Sequence, residues 1–143
     1  MTVEMTNWAP PNGLEVLQVW LSPLGECRTE KPTNSVLPFI MVARGGGNAD
    51  GLVDNGKYSI HVFHETEAKA STFCTLVHRR MEYLAGRFTG QQRVTISTGD
   101  VYADNVYNTE YFRKQKYVDD GQPKKIYQMI GLYEVDFRYV AAS

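Results

Sequence analysis

Residues 36–64 read VLPFIMVARGGGNADGLVDNGKYSIHVFH, and the fold turns on this stretch. Val36 to Ala43 is apolar on both faces, the pattern of a strand buried from two sides. Pro38 stands near its start, where a missing amide is tolerated. Arg44 to Gly56 holds three consecutive glycines, Asp50-Gly51 and Asn55-Gly56, which predicts a mobile hairpin loop rather than a core element. Lys57 to His64 then alternates, with Tyr58, Ile60 and Val62 on one side and Lys57, Ser59 and His61 on the other.

Helices are expected on either side of this hairpin. Asn12 can cap a helix over Gly13 to Leu24 that lines up Leu14, Leu17, Leu21 and Leu24, with Val16 and Trp20 beside them. Pro23 and Gly25 end it. Thr66 can cap a second helix running to about Ala85, with Gly86 as its stop and a buried stripe of Ala70, Phe73, Cys74, Val77, Met81 and Leu84. Arg93 to Ser97 reads as a short strand, and Lys125 to Val140 as a last one rich in alternating aromatics. Between them, residues 98–125 read as a long polar loop or a small hairpin of its own. Residues 1–12 form a polar N-terminal arm.

The expected architecture is therefore α+β. A mixed, mostly antiparallel sheet of about four strands packs with two helices in the order α-β-β-α-β-β, with a long loop before the last strand. All 143 residues are assigned to one domain.

Composition narrows the function classes. Apolar residues make up 43% and charged residues 22%, so a packed core rather than disorder is expected. A formal net charge of −1 argues against a chain-wide attraction to nucleic acid or acidic membranes. Cys27 and Cys74 lack CxxC spacing and read as two reduced thiols. Met1 to Pro11 lacks the apolar segment of a signal peptide, and no apolar run reaches the roughly 18 residues of a membrane span.

No stretch assembles a catalytic set. The glycine run has no following Lys-Ser/Thr pair that opens a helix, so it is not a phosphate loop. His64-Glu65 begins like a zinc-protease motif, but Ala68 stands where the second histidine belongs. His61 and His64 fall on opposite faces of their strand. Cys74 and His78 share a helix face, yet Cys74 lies on the apolar stripe, which favours a structural thiol. Arg79, Arg80, Arg87 and Arg93 read mainly as solvated charge. The mixed run Tyr111, Phe112, Arg113, Lys114 and Lys116 reads as an interface, its field offset by Asp119 and Asp120. Arg44, Asn48 and Asp50 at the glycine loop join it as interface candidates. Catalytic, cofactor-binding and metal-binding residues are all expected to be none.

Four stretches, in the same order, resemble the tail terminator proteins of long-tailed bacteriophages, particularly those of actinobacteria. They are WLSPLGE (Trp20 to Glu26), PFIMVARGGG (Pro38 to Gly47), YSIHVF (Tyr58 to Phe63) running into the helix with Glu67-Ala68, and KKIYQMIGLYEVDFR (Lys124 to Arg138). The resemblance spans about Gly13 to Tyr139, and the segment 98–122 looks longer than the family's usual one. It implies a ring-forming structural subunit, commonly hexameric, at the head-proximal end of the tail tube of the virion, assembled in the bacterial cytoplasm. Its implied partners are further copies of itself, the tail tube protein, and a head-tail connector or head-closure protein. DNA would cross the lumen without specific binding, and neither a membrane nor a cofactor would be involved. Other neck proteins share this size and symmetry. A small enzyme using Cys74 and His78, or a binding module using the Tyr111 to Lys116 run, are the readings from other classes.

Overall fold

The computed structural model describes residues 8–86, 90–115 and 126–141. Its elements in chain order are β1 (Trp8–Ala9), α1 (Gly13–Leu21), β2 (Glu26–Arg28), β3 (Phe39–Ala49), β4 (Val53–His64), α2 (Glu67–Leu84), β5 (Arg93–Ile96), β6 (Gly99–Gln115), β7 (Tyr127–Arg138) and β8 (Val140–Ala141). Among the described residues one six-stranded sheet runs β2-β3-β4-β7-β6-β5, and β1 and β8 form a separate ribbon. β2 lies parallel to β3, and every other pairing is antiparallel. The sheet curls into a half-barrel.

The two helices form where local signals place them. The Asn12 side chain accepts the Glu15 amide at 3.3 Å, and Thr66 Oγ1 accepts the Lys69 amide at 3.1 Å. Ala70, Phe73, Cys74, Val77, Met81 and Leu84 are all buried, so the helical spacing identifies the packing face of α2. Both helices lie against the same side of the sheet. α1 packs on β3 and β5, and α2 on β4, β6 and β7. Trp20 and Arg80 clamp the helices together: Trp20 Nε1 donates to the Arg80 carbonyl (2.7 Å) and Arg80 Nε to the Trp20 carbonyl (2.6 Å). The guanidinium lies 3.9 Å from the indole ring centre, a cation–π contact.

The expected four-strand sheet in the order α-β-β-α-β-β is corrected in three places. First, Glu26–Arg28, which belongs to none of the expected elements, adds a parallel edge strand beside Phe39–Met41. Second, the glycine-rich stretch is not a loop. β3 and β4 stay paired to Ala49↔Asp54, with a register shift between Arg44 and Gly46 that leaves Gly45 as the extra residue of a bulge. Gly47 has φ +118°, and a Cβ there would overlap the Asn55 carbonyl, so the close hairpin needs glycine at that position. The turn itself is short, with Asp50 accepting the Leu52 and Val53 amides at 2.9 and 2.8 Å.

The third correction is the largest. Most of the predicted loop 98–125 is β6, a 17-residue strand. It is polar because much of it is exposed on both faces, which removes the alternation by which a half-buried strand is recognised. At the N-terminus, Trp8 and Ala9 of the expected arm pair with Ala141 and Val140.

Candidate interaction surface

Two features carry the chemistry of this fold: a polar cluster under α2, and the edges of the sheet. In the cluster, His78 Nδ1 and Tyr133 Oη share a hydrogen bond of 2.8 Å. His78 Nε2 lies 3.6 Å from Glu82 Oε1, one helical turn on. Tyr111 meets the imidazole edge-on, with ring centres 5.1 Å apart. A cavity of about 360 Å³ opens here, lined by His78, Glu82, Val106, Tyr107, Asn108 and Tyr133. Burial pushes the Tyr133 hydroxyl pKa upward.

Cys74 lacks the exposed setting that a nucleophilic thiol beside His78 would need. Its side chain is 1% exposed, and burial pushes its thiol up to about 12, leaving it protonated at neutral pH. Tyr133 occupies His78 Nδ1. Cys27 is likewise raised to about 12 by burial. Among the described residues no group of three or more His, Cys, Asp or Glu side chains converges as a metal site. No helix there is long and apolar enough to cross a membrane.

The sheet edges are laid out differently. β5 accompanies β6 only from Gly99 to Tyr102. From Ala103 to Gln115, β6 pairs on one side alone among the described residues, with β7. Register shifts leave Asp104 and Thr109 as bulge residues, and a third shift falls between Glu110 and Arg113. Beyond Asp104 only Phe112 is buried and Val106 half-buried; Tyr107 and Tyr111 are 49% and 48% exposed. At the opposite end of the sheet, β2 accompanies β3 only at Phe39–Met41. Val42 to Ala49 then pairs with β4 alone, and Arg44 to Ala49 is exposed throughout.

The residues singled out as interface candidates fall on these two edges. Tyr111, Phe112, Arg113 and Lys114 end β6, and Arg44, Asn48 and Asp50 lie along or just beyond β3. Lys116 lies outside the described residues, as do Arg87, Asp119 and Asp120. The roles of these side chains diverge. Phe112 turns inward, 9% exposed, and joins the main core. Arg113 Nε pairs with Glu110 Oε1 at 2.5 Å, and Lys114 Nζ with Glu67 Oε1 at 3.4 Å.

Arg44 forms a forked pair with buried Asp54, Nη1 to Oδ2 at 2.8 Å and Nη2 to Oδ1 at 2.7 Å, while its Nε donates to the Gly46 carbonyl at 3.0 Å. The carboxylate raises the guanidinium's pKa further. Asn48 lies opposite Asn55 in the hairpin. The Asp50 carboxyl is held below its usual range by the Val53 and Leu52 amides it accepts.

Val106, Tyr107 and Asn108, which border the cavity on the β6 edge, escape the sequence reading. One signal was present: Asp100 to Asp120 contains neither Gly nor Pro and includes Val101, Tyr102, Val106, Tyr107, Thr109, Tyr111 and Phe112, all strand-favouring types. No protein-family model matches this chain, and no curated protein matches it either.

Proposed function

We propose that this chain is a structural subunit that assembles with copies of itself into a ring capping a phage tail tube. The ring ends tube polymerisation and offers a docking face to the head connector. The observation that carries this reading is the pair of open edges. A strand hydrogen-bonded on one side alone presents unpaired backbone groups and is a template for another chain. Here both ends of one sheet leave such an edge, on different strands. Two different patches per subunit are what a heterologous, ring-closing contact requires.

The resemblance supports the same reading. Three of its four stretches fall on β3, β4 and β7, which are neighbours in the sheet, and the fourth spans the end of α1 and the turn after it. A formal charge of −1 also suits a channel wall past which DNA must slide without being held.

Electron microscopy of a phage carrying this gene, before and after its removal, tests the proposal. Overlong headless tubes beside filled heads are expected after removal. Tails of normal length that fail to join heads would reassign the chain to tail completion or head closure. Unchanged virions would refute the proposal.

A further inference from the structure

We infer that the two open edges are each other's partners: Val42 to Ala49 of one copy pairs antiparallel with the Ala103 to Gln115 edge of the next. The inference rests on the self-assembly reading above and specifies its contact. Three observations carry it.

The first is direction. Along the sheet β3, β4, β7 and β6 alternate in sense, so β3 and β6 run opposite ways within one subunit. Rotating a copy about an axis roughly parallel to the strands brings its β6 beside the first copy's β3 with that opposition kept. The resulting ladder is antiparallel.

The second is the position of the two short strands. β2 covers the N-terminal end of β3, and β5 covers the N-terminal end of β6. In an antiparallel ladder these ends lie at opposite extremes, so β2 of one copy and β5 of the next flank the shared pairing without colliding.

The third is exposure together with length. Arg44 to Ala49 of β3 is exposed throughout, and from Tyr107 to Gln115 of β6 only Phe112 is buried. A pairing over eight residues, interrupted by the bulges on both strands, spans at most about 26 Å. With flanking side chains such as Tyr107 and Tyr111 it buries about 1,000 Å² in total, the lower end for a specific contact. Each pairwise contact is therefore weak, and closing a ring, in which every copy uses both edges, compounds it.

The bulges provide positions at which the edges can be perturbed. Gly45 on β3 and Thr109 on β6 are extra residues outside the register with β4 and β7, so proline there distorts an edge at a residue that forms no register pair. Association of the full chain is followed by light scattering from about 10 μM to about 0.5 mM, with circular dichroism to confirm folding. Wild type is expected to associate with rising concentration. G45P and T109P are each expected to stay monomeric, or to associate at least about tenfold more weakly.

In the mixture G45P supplies a β6 edge and T109P a β3 edge, so a one-to-one heterodimer that cannot grow, held by a single weak contact and seen only near the top of the concentration range, supports the pairing. A monomeric wild type at the highest concentration, or a G45P or T109P that assembles like wild type, would overturn the inference. Should either proline variant be unfolded, amide hydrogen exchange of wild type decides. Protection gained on association at both 42–49 and 103–115 supports the pairing, and protection at one or neither overturns it. None of these results depends on tail length, so failure of this contact and failure of the tail-capping proposal are read separately.

Discussion

Replacing Arg44 with methionine isolates the energetic role of the buried ion pair at the base of the hairpin. Asp54 is 1% exposed and receives both of its guanidinium bonds from Arg44, whose side chain is 32% exposed. Methionine keeps most of the aliphatic stem, so the loss is mainly that of the charge and its fork. Removing one partner of a buried pair costs about 3–5 kcal/mol, because the remaining charge is stranded away from water. The partial exposure of Arg44 lets water reach the stranded carboxylate, which favours the lower end, about 3 kcal/mol. With a urea m value of about 2 kcal/mol/M, the unfolding midpoint falls by about 1.5 M.

Asp54→Asn keeps an acceptor for Arg44 and leaves a cation that water can solvate, so its cost is smaller, about 1–2 kcal/mol. The double variant R44M/D54N no longer strands a charge and should be more stable than R44M alone. Urea titrations at neutral pH, followed by circular dichroism, measure all three variants. A loss below about 1 kcal/mol for R44M, or a double variant that costs the sum of the singles, would refute the stranded-charge argument.

Three further outcomes are expected. Phe73→Ala should destabilise the fold by about 3–5 kcal/mol, since the ring is 7% exposed and packs beside His64; a loss under about 1 kcal/mol in chemical denaturation would contradict that packing. Gly13→Ala would push a methyl into the Tyr58 hydroxyl, costing about 1–3 kcal/mol that Tyr58→Phe partly recovers, and a neutral Gly13→Ala in the same titration would contradict the close approach. At high pH, burial raises Cys27, Cys74 and Tyr58 each to about 12, so the native state holds protons that the unfolded chain, titrating near 9 for thiols and 10 for tyrosine, gives up. Stability is then full below about pH 9 and falls as pH rises toward 12; a melting temperature that stays flat from pH 8 to 11 would show these groups to be open to solvent.

The helices and the inner strands were legible in the sequence because each buries one face. Ala70, Phe73, Cys74, Val77, Met81 and Leu84 recur at helical spacing, and Tyr58, Ile60 and Val62 alternate, so periodicity reports the core directly. The edges were not legible for the converse reason. From Asn105 to Gln115 a single side chain, Phe112, is buried, and an exposed strand written in Asn, Thr, Glu and Lys matches the composition of a loop. The glycines of β3 misled in a related way. Glycine usually breaks a strand, yet Gly47 here lets two strands approach so closely that a side chain would not fit. The candidate residues at both edges were named from charge and turn chemistry, whereas their common property, a backbone lacking a second neighbour, exists only once the strands are ordered.

Two helices pack on one side of the half-barrel, and in an assembly of copies this packing would set a number as well as a stability. If neighbouring copies join edge to edge, the angle between β3 and β6 within one subunit fixes the rotation from each copy to the next. A ring of six needs about 60° per step, and a different angle gives another closed count or an open spiral. That angle is held by side chains far from either edge, among them Leu17 and Leu21 of α1, Met81 of α2 and the Trp20–Arg80 clamp between the helices. In such an assembly core volume would act as a counting device, and a substitution inside the hollow would alter the number of subunits without touching the surface through which they meet.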